Sequence, residues 1–261
     1  MNYIDIIFEK ADGIGFIRMN RPDVFNALSI PMVKSITAAL EECDRDDDIG
    51  AIILSGQGNA FCAGGDIKSM EKNLNVISKE TLLDYSGDTI LKIRSISKPV
   101  IAQVHNAAAG GGCNLALCCD FIIASEDARF IQSFVNVGLV PDIGGIYILS
   151  KYLNFSRLSE AVMTAKPIKA AEAYELGMVK AVVKKEELET ECINFAKLLA
   201  SKPRGAIKGI KEIMNTFLFD RLPQENLLER QFQPILRLSD NHREGVMAFV
   251  QKRTPEFNKK S

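Results

Sequence analysis

KPVIAQVHNAAAGGGCNLALCCD, residues 98–120, decides how this chain is read. Pro99–His105 has the composition of a buried strand. Small residues carry it into Gly110, Gly111 and Gly112, and the apolar run Leu115–Ala116–Leu117 then opens a helix. Strand, glycine turn and helix start leave backbone N–H groups without partners and set the positive end of a helix dipole beside them, an arrangement that attracts negative charge. The glycines do not follow G-x-G-x-x-G, and no G-K-[ST] comes after them, so a nucleotide site fails on the residues themselves. The plainer alternative is that they only let a helix pack closely on a sheet.

A second segment repeats the pattern. Ala51–Ser55 (AIILS) is a compact apolar strand, Gly56–Gly58 a turn, and FCAGGDI at 61–67 sets Ala63–Gly64–Gly65 just before a helix at Ile67–Lys72. One backbone donor from each turn would hold a single oxygen between them, the geometry that stabilises a developing oxyanion.

Further out, Ile4–Phe8 and Gly15–Met19 read as strands joined around Asp12–Gly13. Ser29 is an N-cap, followed by a buried helix face of Val33, Ile36, Leu40 and Cys43. Asn73–Ser95 is polar and helical in places and reads as a mobile cover. Phe121–Ala124 is another strand. Strands and helices alternate to about Val183, which predicts an α/β layered core with strands buried on both faces. From Glu186 onward the pattern is helical only, over 188–200, 203–217, 224–238 and 243–252. These helices expose Leu and Phe and would cap the core or meet another subunit. No linker or repeat marks off a second independent domain.

Composition narrows the function. The 261 residues are 47% hydrophobic and 25% charged, as in globular proteins. Lys+Arg 32 against Asp+Glu 33 gives a net charge of −1, so no positive field invites nucleic acid. No apolar run is long enough to span a membrane. MNYIDIIFEK does not read as a leader and NKKS is no evident address, so a cytoplasmic protein is expected. The six cysteines include no C-x-x-C and read as core residues; Cys62 and Cys113 flank the proposed site, where alkylation would inhibit. Two histidines, His105 and His242, cannot supply a metal cluster, and none is expected.

In this order and spacing the segments resemble the enoyl-CoA hydratase/isomerase, or crotonase, family. The likeness covers NRPDVFNAL at 20–28, FCAGGDI, the 98–120 stretch, GLVPDIGG at 138–145, AAEAYELGMVKAVV at 170–183 and REGVMAFVQKRTPEF at 243–257. It is nearest to members that isomerise, including the ring-epoxide isomerases of phenylacetyl-CoA breakdown. The resemblance implies an α/β fold coiled from strand–strand–helix units, with a core over 1–200 and a C-terminal helical region over 201–261 that builds homotrimers or homohexamers. It implies an acyl-CoA substrate, with no cofactor beyond the CoA carried by the substrate. By the same resemblance, the N–H groups of Ala63 and Gly111 polarise the thioester, and Ala27, Leu28, Gly64, Gly65, Asp66, Ile67, Lys68 and Phe134 meet the substrate. Lys252, Arg253 and Phe249 are further candidates for the nucleotide end.

Hydratases of the family use two carboxylates to handle water. At those positions this chain has Asn114 and Phe134, neither of which can take a proton. Asp142, in GLVPDIGG, stands where family isomerases keep a proton-shuttling acid; one carboxylate suffices when the proton removed at one carbon returns at another. Asn114 would then orient its carboxamide toward the substrate or Asp142. Read on its own, Asp142 is equally a helix cap or a Pro-Asp turn residue. An enoyl-CoA isomerase is the expectation. The alternatives are a hydratase, hydrolase or decarboxylase on the same scaffold, or a non-enzymatic RNA-binding relative, which the neutral charge disfavours. A dehalogenase is disfavoured because that branch relies on tryptophan and the chain has none.

Overall fold

The structure, a computed structural model, describes residues 3–72, 74 and 81–258. A hairpin opens it: β1 (Ile6–Ala11) pairs antiparallel with β2 (Ile14–Met19) across Asp12 and Gly13. Both turn residues have positive φ, 52° and 78°, as a two-residue hairpin demands. β2 then runs parallel to β3 (Ala51–Gly56), β3 to β4 (Val100–Val104), β4 to β6 (Phe121–Ser125) and β6 to β9 (Ala181–Val183), giving a six-stranded sheet. A smaller sheet holds β5 (Ala107–Ala109), β7 (Arg129–Ile131) and β8 (Ile168–Lys169). Successive passes of the chain thus add one strand to each sheet, β4 then β5 and β6 then β7, before a helix carries the chain on. That is the expected coil of strand–strand–helix units.

The large sheet is covered on both faces, which is why its strands read as unbroken apolar runs. Side chains alternate across a strand. Ile52 and Leu54 of β3 therefore pack with α1 (Ile30–Arg45), while Ile53 joins Ile101, Ile123 and Phe16 under Leu188, Cys192 and Ala196 of α8 (Leu188–Ala200). Ser29 caps α1, its Oγ accepting from Met32 N–H at 3.2 Å. α2 (Ile67–Lys72) follows the FCAGGDI turn. α3 (Leu82–Ser95) corrects part of the expected cover: Ile90 and Ile93 are wholly buried and the helix packs on α1, so it belongs to the core. Residues 73 and 75–80 of that expected cover lie outside the described residues.

α4 (Gly111–Leu117) starts at the glycine cluster, four residues before the apolar run that marked it in the sequence. α5 (Gly145–Leu149), α6 (Phe155–Thr164) and α7 (Ala170–Glu175) precede β9. Beyond α8 come α9 (Arg204–Leu218), α10 (Leu222–Arg237) and α11 (Asp240–Val250). A buried ion network fastens α9 to the core: Lys211 Nζ lies 2.7 Å from Asp120 Oδ2, and Arg94 Nη1 3.1 Å from Asp120 Oδ1. Among the described residues no helix is long and apolar enough to cross a membrane.

Candidate active site

The first glycine turn follows β3 and the second follows β5, into which β4 leads, so both lie beyond the C-terminal ends of parallel strands, where open α/β sheets usually place their ligands. Loop 20–28 is strapped to the first turn. Asn26 is wholly buried with φ 56°; its Oδ1 accepts from Arg21 N–H at 2.9 Å and its Nδ2 donates to Gln57 O and Ala60 O at 2.8 Å. A short carboxamide that bonds its own surroundings makes the left-handed backbone tolerable here. Ala63 N–H donates to Phe25 O at 2.9 Å, and Leu28 N–H to Gly64 O at 2.7 Å. Arg21 ties the loop further, donating to Ala27 O at 2.6 Å and pairing with Asp66 at 2.9 Å. Ala27 and Leu28 are buried, and Asp66 caps α2 through Ser69 N–H at 3.2 Å.

The turns are laced to each other. Cys62 N–H donates to Ala107 O at 3.1 Å and Ala109 N–H to Cys62 O at 2.9 Å. Gly64 sits at the closest approach. Its φ is 89°, and a Cβ there would meet Ala109 O at 2.6 Å and lie 3.3 Å from Gly111 N. The expected donor Ala63 is corrected by this lacing, because its N–H is already held by Phe25 O. Gly64 N–H faces the Cys62 sulfur. Among the described residues, no acceptor takes the N–H of Gly65 or of Gly111. Each of the facing turns thus offers a backbone donor that no described residue accepts.

Asp142 precedes α5. A Cβ built on Gly111 would lie 3.9 Å from Asp142 Oδ1, so that oxygen faces the second turn. The residue keeps partial access to solvent, but its carboxyl is densely surrounded by protein. That burial pushes its pKa up to about 7 against the pull of a hydrogen bond from Gln233 and the charge of Arg237. Gln233 Nε2 donates to Asp142 Oδ2 at 2.9 Å.

Asn114 turns toward Asp142, one of its two expected orientations, and is wholly buried. Its Nδ2 donates to the backbone O of Asp142 at 2.6 Å and its Oδ1 accepts from Gln132 Nε2 at 2.7 Å. It holds the Asp142 turn by its backbone and does not touch the carboxylate. Phe134 is buried with Val137 and Leu139, and Ile67 packs against that apolar cluster. Lys68 is exposed on the first turn of α2. Arg253 pairs with Glu244 at 2.8 Å, and Phe249 is exposed.

Cys62 and Cys113 are buried, and burial pushes both thiols up to about 12, so the expected alkylation is corrected too. His105 Nε2 lies 3.0 Å from Gly58 O and His242 Nδ1 2.7 Å from Val137 O; both rings brace backbone. Among the described residues no group of His, Cys, Asp and Glu could hold a metal. A surface crevice of about 170 Å³ beside Lys98, Lys202 and Arg204 lies at the opposite, N-terminal ends of β3 and β4 and plays no part in the site.

Sequence reading missed the contribution of α10. Glu225, Glu229 and Gln233 stand at spacings of four on one face. Glu229 Oε1 accepts from Gly144 N–H at 2.9 Å and Glu225 Oε1 from Tyr147 N–H at 2.8 Å. Burial pushes Glu225 up to about 7 and Glu229 up to about 8, the latter also raised by the neighbouring Glu225 and Asp142 charges. A polar row on an amphipathic helix reads as a solvated face until its partners are known.

A family model described as enoyl-CoA hydratase/isomerase matches residues 9–260. A probable enoyl-CoA hydratase of Rhizobium meliloti is 36% identical over 98% of this chain and 99% of its own. The 1,2-epoxyphenylacetyl-CoA isomerase of Escherichia coli is 32% identical over 98% of each chain. Among solved structures, an enoyl-CoA hydratase from Mycobacterium avium subsp. paratuberculosis superposes with a TM-score of 0.90 at 29% identity, covering 99% of this chain and 100% of that one.

Proposed function

The chain belongs to the enoyl-CoA hydratase/isomerase family, and from that premise we propose that it moves a double bond within an enoyl-CoA thioester rather than adding water across one. The observation that carries this reading is the pairing of one carboxylate with one uncommitted amide. Asp142 Oδ1 faces Gly111, whose N–H no described residue accepts, while the position that would supply a second acid is Asn114, buried and bonded at both ends of its carboxamide.

In this reading the thioester oxygen lies between Gly65 N–H and Gly111 N–H. Both donors act on the charge that develops there when a proton leaves C2, and each such donor is worth about 3–4 kcal/mol in a closed site. Ionised Asp142 takes that proton. The electron pair delocalises onto oxygen as a dienolate, and Asp142 returns the same proton at C4 as the double bond shifts to C2–C3. The proton balance closes on one residue, and no redox partner or metal is required by the step. Ala27, Leu28 and the first turn of α2 would line the CoA path, with Lys68 toward the phosphates. A pKa near 7 lets Asp142 accept and release the proton with similar ease.

The test is a direct comparison of 3-enoyl-CoA isomerisation with crotonyl-CoA hydration in the same preparation. Isomerisation is expected to dominate, with a low-pH limb of kcat/KM near pH 7 that vanishes with Asp142→Asn. Hydration at the higher rate would overturn the reading.

A further inference from the structure

Gln233 on α10 is buried, with 4% of its surface exposed. Its Nε2 donates twice into the turn before α5, to Asp142 Oδ2 and to Val140 O, each at 2.9 Å. Both groups facing it are acceptors, so the amide can stand only one way round. Its Oε1 is buried without a partner. A Met or Leu would fill the same space and leave no carbonyl unpaired, so packing alone does not account for a glutamine here. What the position supplies is the nitrogen, and the nitrogen engages Oδ2 while Oδ1 faces Gly111.

We propose that Gln233 is a positioning residue that clamps Oδ2 of Asp142 and so presents Oδ1 as the proton-carrying oxygen, which makes the tail helix α10 a working part of the site. The proposal rests on the isomerase reading only for the reaction that Asp142 serves. The charged neighbours of the carboxyl are few. On α10 itself Arg237 and Glu229 lie one turn to either side of Gln233. From α4 and its C-cap, Asn114 and the Cys118 thiol meet the backbone of this turn, at Asp142 O and, 3.9 Å away, Ile143 O, and burial keeps the thiol uncharged. From α3 the neighbour is the apolar Ile90, which a Cβ on Gly144 would approach to 3.3 Å.

The experiment titrates Asp142 directly, by NMR of protein carrying 13C-labelled aspartate carboxyls, with the signal assigned by its loss in Asp142→Asn. Loss of a donor to an ionised carboxylate raises its pKa, so in Gln233→Met the midpoint is expected to rise by about one unit. In Gln233→Glu, where a like charge is added, it is expected to rise further. Isomerisation at pH 7 should fall about tenfold in kcat for the Met variant, with KM within about twofold of wild type. A merely structural role would lower the melting temperature and leave the Asp142 midpoint where it was; that result, or a change in KM alone, overturns the proposal. Should Gln233→Met not fold, Gln233→Asn keeps the amide and shortens its reach, and its Asp142 midpoint is judged in the same way. The two readings fail separately: a shifted midpoint in a protein that moves no double bond keeps the clamp and sinks the isomerase, and an unshifted midpoint in an active isomerase does the reverse.

Discussion

Two short helices begin beside Asp142, and they begin in opposite ways. α4 starts at Gly111 with an amide that no described residue accepts, while α5 starts with Gly144 and Tyr147 amides capped by Glu229 and Glu225 from α10. Both starts have the same unsatisfied donors by geometry. What separates them is whether the rest of the chain covers those donors. α10 brings carboxylates to one and leaves the other bare, and Asp142 stands between them. A helix start stays open to an outside acceptor only where the fold withholds its own caps.

The largest effect should come at the residue between the two starts. Asp142→Asn is expected to lower isomerisation by about 10²–10⁴-fold, with the fold kept because asparagine can still occupy the Gln233 contact; kcat and a circular-dichroism melt measure both. Next comes the open start. A Gly64→Ala side chain would press on Ala109 O at 2.6 Å in a backbone of φ 89°, forcing the two turns apart. Activity should fall about 10²-fold, the scale of one lost oxyanion donor, and a transition-state-like enolate analogue should bind correspondingly more weakly by calorimetry. Wild-type affinity in that variant would mean the turns do not share a ligand oxygen.

The closed start should answer to pH instead. Glu229 has its pKa raised to about 8 by burial, above its unfolded value, so the folded protein holds that proton more tightly than the unfolded chain. Its contribution to stability is complete below the unfolded value near 4.5 and is lost as pH rises through 8. Glu229→Gln removes this titration while keeping an acceptor for Gly144 N–H. Its melting temperature should fall less steeply than that of wild type between pH 5 and pH 8.5, about these windows, and kcat at pH 7 should change little. Steeper loss in the variant would contradict the assignment. The smallest effect belongs to an ordinary capped start: Ser29→Ala should cost about 1 kcal/mol in urea unfolding and leave activity untouched, which calibrates the other two.

The difference between the starts also explains what the sequence could reveal. The open one is made of residues chosen for being small, and GGG after a strand is legible because only a close approach demands it. Even there the particular donor was not: Ala63 and Gly65 are two residues apart in one turn, and only the bond from Ala63 to Phe25 O distinguishes them. The closed start depends on Glu225, Glu229 and Gln233, more than eighty residues downstream of Asp142 by their numbering. Nothing local tells a buried polar stripe from a wet one, since both have helical spacing. The same holds for Asn114: a carboxamide is no base by its type alone, but its two partners, Gln132 and the Asp142 carbonyl, are invisible in the sequence. The alternating strands and tail helices were legible because periodicity is a local property, whereas 82–95 was misread because a few apolar residues in a polar stretch suffice to dock a helix.

Asn114 has one more consequence. Its carboxamide donates to the Asp142 carbonyl and lies where a Cβ on Gly145 would come within 2.4 Å of it. A glutamate at 114 would lose that donor, set like charge against the carbonyl dipole and need room the glycine gap does not have. Installing a second acid at this position would therefore first dismantle the strut under the Asp142 turn, so the side chain that holds the one acid in place is the same one that keeps a second acid out.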